Sequence, residues 1–215
     1  MYVDRIMTLE VVAIAPTATW TEMNELMRTR RFHHLPVVED GALVGVVTSH
    51  DLERAQPSAV TTLSVSEANY LLSKVTAQTI MEKAVVTTGP KTLIEEAGVL
   101  MREKEIGFLP VLNAHDQLVG VVTQSDLMDF FLDVTGSTLK ESARIAMHLS
   151  DAPGKLTELL GRINALGGYI ATVVSPLHPD KTGLRIVIIR FKAANPQALV
   201  KALEDRGYDM ISEDM

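Results

Sequence analysis

The chain contains one pattern twice, and this internal duplication restricts it to folds built from two like units. Leu35-Pro36-Val37 matches Leu109-Pro110-Val111 at an offset of 74 residues. After a one-residue insertion, the stretch from Gly45 to Leu52 matches the stretch from Gly120 to Leu127 at an offset of 75 residues. Two copies of one unit therefore occupy roughly the first two thirds of the 215 residues.

Each copy is predicted to have the order β-α-β-β-α, because its apolar residues change from strand spacing to helix spacing and back. The strands of the first copy are predicted over residues 11–14, 35–38 and 43–48, with helices over residues 19–30 and from Ser49. Those of the second are predicted over 85–88, 108–112 and 117–123, with helices over 92–104 and from Ser125. Asp40-Gly41 is a strong hairpin signal. Since such a small sheet leaves one face uncovered, we expect the two copies to pack into one module.

The last third of the chain has a different pattern. Strands are predicted over residues 144–149, 169–174 and 184–191 and from Met210, and helices over 154–166 and 197–206. This β-α-β-β-α-β order is the ferredoxin-like arrangement. We therefore expect an α+β protein with domains at residues 1–56, 79–136 and 143–215. A linker over residues 57–78, opened by Gln56-Pro57-Ser58, is predicted to contain a helix from Ser66 to Lys74.

Composition narrows the classes of partner. Hydrophobic residues make up 47% of the chain, enough for a real core. The 27 Asp and Glu outnumber the 20 Lys and Arg, which argues against nucleic acid or an anionic membrane as a partner. The absence of cysteine excludes disulfides, thiolate nucleophiles and cysteine-based zinc sites. With no signal-peptide pattern and no apolar run near the ~20 residues of a membrane helix, a cytoplasmic location is expected.

Common catalytic motifs are missing from the sequence. There is no Gly-x-Gly-x-x-Gly, no phosphate-binding loop ending in Gly-Lys-Ser/Thr, no His-Glu-x-x-His and no Gly-x-Ser-x-Gly. The six histidines show no metal-ligand spacing. We therefore expect a protein that is not an enzyme and has no metal site.

A threonine followed three residues later by an aspartate closes both copies, as Thr48 with Asp51 and Thr123 with Asp126. One interpretation is a helix cap, because a hydroxyl and an acid at this spacing form a capping box. The other is a ligand site, in which the carboxylate accepts hydrogen bonds from the two hydroxyls of a ribose. Apolar residues near both motifs would then hold a purine face: Ile14, Val37, Val86 and Val111. The residues alone leave both interpretations open.

Residues 5–55 and 79–130 resemble a tandem pair of CBS domains, through the Gly-h-h-Thr-x-x-Asp ending (h, hydrophobic) and the Leu-Pro-Val strand. The resemblance implies that AMP, ADP, ATP or S-adenosylmethionine binds as a regulatory ligand in two clefts, with no required cofactor. Asp51 and Asp126 match the position that contacts the ribose. The other implied contacts are Ile14, Arg31, His33, His34, Pro36, Thr48, Val86, Thr88, Pro110 and Thr123.

The basic residues before the strand proline make the copies unequal. Phosphate-binding members of this family often have a basic residue three positions before the strand proline. His33 stands at that position and is followed by His34, with Arg30 and Arg31 just upstream. The second copy has Glu105 and Gly107-Phe108 instead. We therefore expect the phosphate-bearing ligand in the cleft of Asp51, although ordinary strand-edge polarity would also explain the two histidines.

Residues 144–215 resemble an ACT domain, through Asp151-Ala152-Pro153-Gly154-Lys155-Leu156 and Leu166-Gly167-Gly168-Tyr169-Ile170. This implies a small ligand, often an amino acid, near Asp151, Gly154 and Gly168. A purely structural alternative is that Asp151 caps the helix beginning near Gly154, with Pro153 in its first turn. Two CBS copies followed by an ACT domain are similar to the AcuB type of acetoin utilisation protein.

These features together predict a non-enzymatic regulatory protein that senses an adenosine-containing ligand and acts on an unknown protein target. The similarity to AcuB-type proteins implies a role in acetoin utilisation. A homodimer is expected, because small sheet domains with unshared faces commonly pair by symmetry. The alternative is an amino-acid sensor that works through the ACT domain, with the CBS pair as a dimerisation scaffold.

Overall fold

The structure is a computed structural model that describes residues 1–56, 64–178 and 181–211. These residues form two compact units, Met1–Met128 and Asp129–Met215. Two parts of the predicted organisation lie outside the described residues. These are Pro57-Ser58, where the linker was predicted to open, and the last four residues of the third predicted domain.

The two copies contain the predicted helices and hairpins. After a 3-10 turn at Val3–Arg5, the elements of the first copy are α1 (Trp20–Arg30), β1 (His34–Glu39), β2 (Ala42–Thr48) and α2 (Ser49–Arg54). Two helices follow in the linker, α3 (Val65–Leu72) and α4 (Ala77–Ile80). The elements of the second copy are α5 (Ile94–Lys104), β3 (Phe108–Leu112), β4 (Leu118–Thr123) and α6 (Gln124–Val134).

Local chemistry explains where these elements begin and end. Thr19 caps α1 through a capping box with Glu22. Asp40 and Gly41 both have positive φ, at 49° and 83°, as a two-residue hairpin turn requires. The Asp-Gly hairpin prediction is therefore confirmed.

The first predicted strand of each copy is not a strand. Residues 11–14 make a single parallel bridge to β1, between Ile14 and Val37, and residues 85–88 make the equivalent bridge between Thr88 and Val111. Pro36 and Pro110 lie beside these bridges and have no N–H to donate, so the ladder cannot extend in the usual way.

An approximate twofold axis relates the two copies. His34 stacks on Phe108, and Ala42 forms a bridge with Gln117. The members of each pair occupy the same position in the two repeats, at offsets of 74 and 75 residues. A residue can contact its own equivalent only close to a twofold axis. The expectation that the copies form one module is confirmed.

Each copy is completed by a segment that precedes the other copy in the chain. The first arm, residues 1–8, lies on the second copy: Thr8 bridges Val121, and Val3 is fully buried in the second copy's core. The second arm, residues 76–82, lies on the first copy in the equivalent way, since Glu82 bridges Val46 and Ala77 is fully buried there. The packing units therefore differ from the sequence repeats.

The second unit has the predicted β-α-β-β-α-β order. Its elements are β5 (Ala143–Ser150), α7 (Lys155–Ala165), β6 (Tyr169–Val174), β7 (Leu184–Lys192), α8 (Pro196–Glu204) and β8 (Asp209–Met210). All pairs in the sheet are antiparallel, in the order β6-β7-β5-β8. The two helices bury Leu159, Ile163 and Leu203 against the sheet residues Met147 and Ile189. This is the sheet order of a ferredoxin-like fold.

Within the described residues, no helix combines the length and the apolar character needed to cross a membrane.

Candidate functional site

Thr48 and Asp51 form a reciprocal capping box at the end of β2 and the start of α2. The Asp51 backbone N–H donates to Thr48 Oγ1 over 3.2 Å. In return Asp51 Oδ2 accepts from the Thr48 N–H at 2.9 Å and from the Thr48 hydroxyl at 2.6 Å. The cap interpretation is therefore correct as a description of the fold.

Thr123 and Asp126 repeat the arrangement at the start of α6, with Asp126 Oδ2 accepting from the Thr123 N–H and hydroxyl, both at 2.7 Å. Among the described residues, no hydrogen bond ends on Oδ1 of Asp51 or of Asp126. With respect to the described residues, each carboxylate thus keeps one oxygen for a further donor. The cap and the ribose interpretations use different oxygens, so one motif can serve both purposes.

A cleft of about 450 Å³ lies between the copies, next to the second motif. We call it the Thr123 cleft and define it by Val11, Val12, Arg31, His33, Pro36, Thr123 and Ser125. The first copy supplies an apolar wall and the basic side chains, and the second copy supplies Thr123, Gln124 and Ser125, the residues just before Asp126. Sequence reasoning missed Val11 and Val12; the position of Val12 could have been found, because it is the repeat equivalent of Val86.

The basic residues before β1 lie next to both motifs. His33 O accepts a hydrogen bond from the Ser49 N–H at 2.9 Å, and His34 pairs with Thr48 in the hairpin, so both histidines lie beside the first motif. Arg31 and His33 also line the cleft of Thr123, because the twofold packing brings the residues before β1 close to the start of α6. His34 also lines this cleft, and its ring interacts electrostatically with Asp51 of the first motif.

His34 stacks on Phe108 with ring centroids 4.7 Å apart and the ring planes 3° from parallel. Its pKa lies below the usual range, because burial disfavours the imidazolium and the neighbouring His33 repels it. Asp51 opposes this lowering. His34 therefore favours the neutral form and acts as an aromatic spacer between the copies.

This lowered pKa predicts a stability change with pH. An unfolded His34 takes up a proton near pH 6.5, whereas the folded one does so only at lower pH. The contribution of neutral His34 to folding stability is therefore fully present above about pH 6.5 and is lost as the pH falls toward the folded-state pKa. Urea unfolding of wild type and of His34→Phe, which keeps the stack without titrating, should show the wild type losing more stability between about pH 7.5 and 5.5. Parallel pH profiles would contradict this role for His34.

The other predicted contacts of the CBS pair lie apart from the Thr123 cleft. Ile14 lines a groove along α1. Thr88 is its repeat equivalent and bridges Val111. Val86 and Pro110 are the repeat equivalents of Val12 and Pro36, so they occupy the corresponding wall on the opposite side of the twofold axis.

In the second unit, the structural alternative for Asp151 is wrong. Helix α7 begins at Lys155 with Gly154 as its N-cap, and no side chain in the described part of the chain caps it. Asp151 pairs with Arg185 instead, at 3.0 Å, because its backbone N–H donates to Gly183 O beside β7. Pro153 precedes the N-cap and is not in the first turn.

Packing alone explains why residue 168 is a glycine, without a bound ligand. A Cβ at this position would lie 2.6 Å from Ile163 Cγ2 and 2.9 Å from Leu199 Cδ1. The chain must therefore pass close to α7 and α8 here, and only glycine fits.

A separate cavity of about 460 Å³ lies in the second unit. Three cationic side chains line it, Lys155, Arg162 and Arg206, together with Glu158 and Asp209. Glu158 pairs with Lys155 at 3.1 Å and with Arg162 at 2.7 Å. Among the described residues, no group of three or more His, Asp or Glu side chains could hold a metal ion.

Comparison with known proteins identifies the family of the first unit. The model of the CBS domain matches residues 3–58 and 77–133, which together are just over half of the chain. The chain is 32% identical over 133 residues to a CBS domain-containing protein of Dictyostelium discoideum, covering 61% of this chain and 92% of that protein. It covers less than half the length of several other curated relatives, among them homoserine O-acetyltransferases and inosine-5′-monophosphate dehydrogenases.

Two solved structures are similar over the same share of the chain. A Vibrio cholerae protein assigned to acetoin utilization (AcuB) is 26% identical with a TM-score of 0.54, covering 64% of this chain and 95% of that one. CBSX2 of Arabidopsis thaliana, solved in complex with AMP, is 25% identical with a TM-score of 0.52, covering 62% of this chain and 97% of that one. With two matched copies packed as a pair around a twofold axis, the chain belongs to the CBS domain family.

Proposed function

We propose that the chain is a non-enzymatic regulatory protein that binds an adenosine-containing ligand in the Thr123 cleft. One observation carries the proposal: Arg31 and His33 of one copy line the same 450 Å³ cleft as Thr123 of the other. Thr123 in turn holds Asp126 through a 2.7 Å hydrogen bond. Basic side chains, an apolar wall and, next to the cleft, a carboxylate whose Oδ1 accepts no hydrogen bond from the described residues are the groups that a nucleotide needs.

Each part of a nucleotide has a matching group. A ribose hydroxyl donates to Asp126 Oδ1, which accepts no other hydrogen bond among the described residues. The phosphate lies toward Arg31 and His33, where charge-assisted hydrogen bonds are strongest. The purine packs on Val11, Val12 and Pro36. AMP is the first ligand to test, because the similar CBSX2 binds it; ADP, ATP and S-adenosylmethionine are the other candidates.

Regulation follows from the ligand's contacts with both copies. A ligand that bridges two copies stabilises the arrangement in which its contacts are best, and it shifts the equilibrium by its difference in affinity between arrangements. We propose that this shift is transmitted to a protein target, and that a role in acetoin utilisation is one candidate, by similarity to AcuB.

Calorimetric titration of the full chain with AMP, ADP, ATP and S-adenosylmethionine tests the proposal. We expect at least one phosphate-bearing ligand to bind, with an affinity that falls as salt rises, because an exposed arginine contributes to it. Arg31→Ala should weaken this ligand, whereas Arg28→Ala, on the exposed face of α1, should not. No heat and no thermal shift with any of the four ligands would overturn the proposed function.

A second candidate function concerns residues 143–215, which we propose as an ACT domain that binds an amino acid. The β-α-β-β-α-β order supports the assignment. The cavity beside Ser150 and Lys155 supports a zwitterionic ligand, because charges of both signs line it. Binding of a free amino acid that is lost in Arg206→Met, with nucleotides inert, would favour this function over the first.

We also propose a homodimer in the cytoplasm. Helix α6 exposes Met128, Phe131 and Val134, with Phe131 56% exposed, and apolar side chains at helical spacing are typical of an interface. Analytical ultracentrifugation should give twice the 23.5 kDa of the chain for wild type and a shift toward monomer for Phe131→Ser. A wild-type monomer at tens of micromolar would contradict the dimer.

A further inference from the structure

The twofold axis implies a second cleft, equivalent to the Thr123 cleft, on the other side of the pair. Its apolar wall has the same residue types, because Val85, Val86 and Pro110 stand where Val11, Val12 and Pro36 stand in the first. Its polar end is Thr48 with Asp51, whose capping box repeats that of Thr123 with Asp126. We call it the Thr48 cleft. A site with the same wall and the same carboxylate is suited to the same adenosine group.

The charges at the outer end of the two clefts are different. Arg31 and Glu105 occupy the same repeat position, and both adopt the left-handed conformation that ends the preceding helix, with φ of 56° and 55°. The two side chains therefore start from equivalent backbone positions. The repeat equivalence therefore implies a carboxylate in the Thr48 cleft at the position where Arg31 lines the Thr123 cleft.

The residues of the two arms increase this difference in charge between the clefts. Glu82 of the second arm occupies the repeat position of Thr8, which lines the Thr123 cleft. The backbone hydrogen bonds between Glu82 and Val46, at 2.9 and 3.0 Å, hold it beside the end of β2. Two other replacements make the Thr48 cleft less negative. Ala84 stands where the Thr123 cleft has Glu10, and His50 stands where it has Ser125. At these equivalent positions the Thr48 cleft thus has three carboxylates, Glu82, Glu105 and Asp51, and no lysine or arginine, whereas the Thr123 cleft has two carboxylates, Glu10 and Asp126, and one arginine.

We propose that the Thr48 cleft binds an adenosine ligand whose 5′ substituent is cationic, a sulfonium nucleoside, while the Thr123 cleft binds one whose 5′ substituent is a phosphate. The inference rests on the proposed function, since both clefts must accept adenosine. A phosphate in the Thr48 cleft would face three carboxylates and has no lysine or arginine to pair with, only the imidazole of His50, whereas a sulfonium would be attracted by the same carboxylates. The two copies then sort two ligands by charge, and the protein responds to both at once.

Calorimetry with AMP and S-adenosylmethionine as probes tests the sorting on the full chain. We expect one AMP site per chain, and an S-adenosylmethionine affinity that changes less than about 3-fold when AMP is saturating. Asp51→Ala should weaken S-adenosylmethionine at least 10-fold and leave AMP unchanged. Glu105→Arg should raise the AMP stoichiometry from one to two and abolish S-adenosylmethionine binding. Glu103→Arg, the same charge change on the outer face of α5, should do neither.

The outcomes separate this inference from the proposed function. If neither probe binds, the charge sorting is wrong, and the proposed function itself fails only if ADP and ATP do not bind either. If AMP binds but S-adenosylmethionine either does not bind or competes with it for the same site, the proposed function survives and the charge sorting is wrong. Two AMP sites in the wild type, or an AMP stoichiometry of one in a folded Glu105→Arg, would also overturn the sorting.

Discussion

Replacing Asp126 by alanine is expected to weaken AMP binding about 10- to 150-fold. The variant loses the acceptor of the ribose hydroxyl, and a hydrogen bond to a charged group contributes about 1.5–3 kcal/mol, which corresponds to that range in Kd. Calorimetry at fixed ionic strength measures the change. In Asp51→Ala the AMP affinity should stay within about 3-fold of wild type, because Asp51 lies in the other motif.

The capping box requires one more variant to interpret this result. Asp126→Ala also removes two hydrogen bonds from Thr123, so part of the loss could come from a frayed α6. Asp126→Asn keeps an oxygen for the Thr123 N–H but removes the charge. We expect this variant to unfold close to the wild-type urea concentration and still to bind AMP more weakly. Wild-type affinity in both variants would leave the motif as a helix cap alone.

Replacing Gly120 by valine is expected to lower the stability of the first unit by about 3 kcal/mol, the upper part of the range for overpacking. A Cβ at Gly120 would lie 2.7 Å from Met7 Sδ and 3.1 Å from Thr8 O, so the first arm would have to move. The methionine can rotate away, but the backbone carbonyl is fixed by the bridge between Thr8 and Val121.

Tryptophan fluorescence during urea unfolding measures this effect. The single tryptophan, Trp20, lies in the first unit and donates its indole N–H to Leu52 O over 2.9 Å. Gly98→Ala is the control: its added Cβ would meet only Leu127 Cδ1 at 3.6 Å, an ordinary contact, and alanine favours the helix. That variant should match or exceed the wild type. Equal stability of Gly120→Val and wild type would show that the arm does not pack as described.

Much of the secondary structure could be predicted from residue patterns. The strands at Phe108–Leu112 and Tyr169–Val174 have the predicted bounds. The first strands of the copies were wrong, because β-branched runs such as residues 11–14 match strand spacing whether or not a neighbour can pair with them. In the structure the neighbouring proline limits that pairing to one bridge.

The site was harder to predict than the fold. The pattern identified Thr123 and Asp126, but it could not separate the cap from the ligand site, since both need a hydroxyl and a carboxylate at the same spacing. It also could not show that Arg31 and His33 line the Thr123 cleft. That placement depends on the twofold packing of the two copies, which residue spacing along one copy does not contain.

The exchanged arms have a consequence for how this architecture can arise. Each copy lacks part of its own core, since Val3 is buried with the second copy and Ala77 with the first. A gene for one copy alone would encode a protein whose core is complete only when two chains exchange their arms, as in a domain-swapped homodimer. Joining two such genes keeps every contact and makes the partner permanent. The two sites are then free to diverge separately, which identical subunits cannot do.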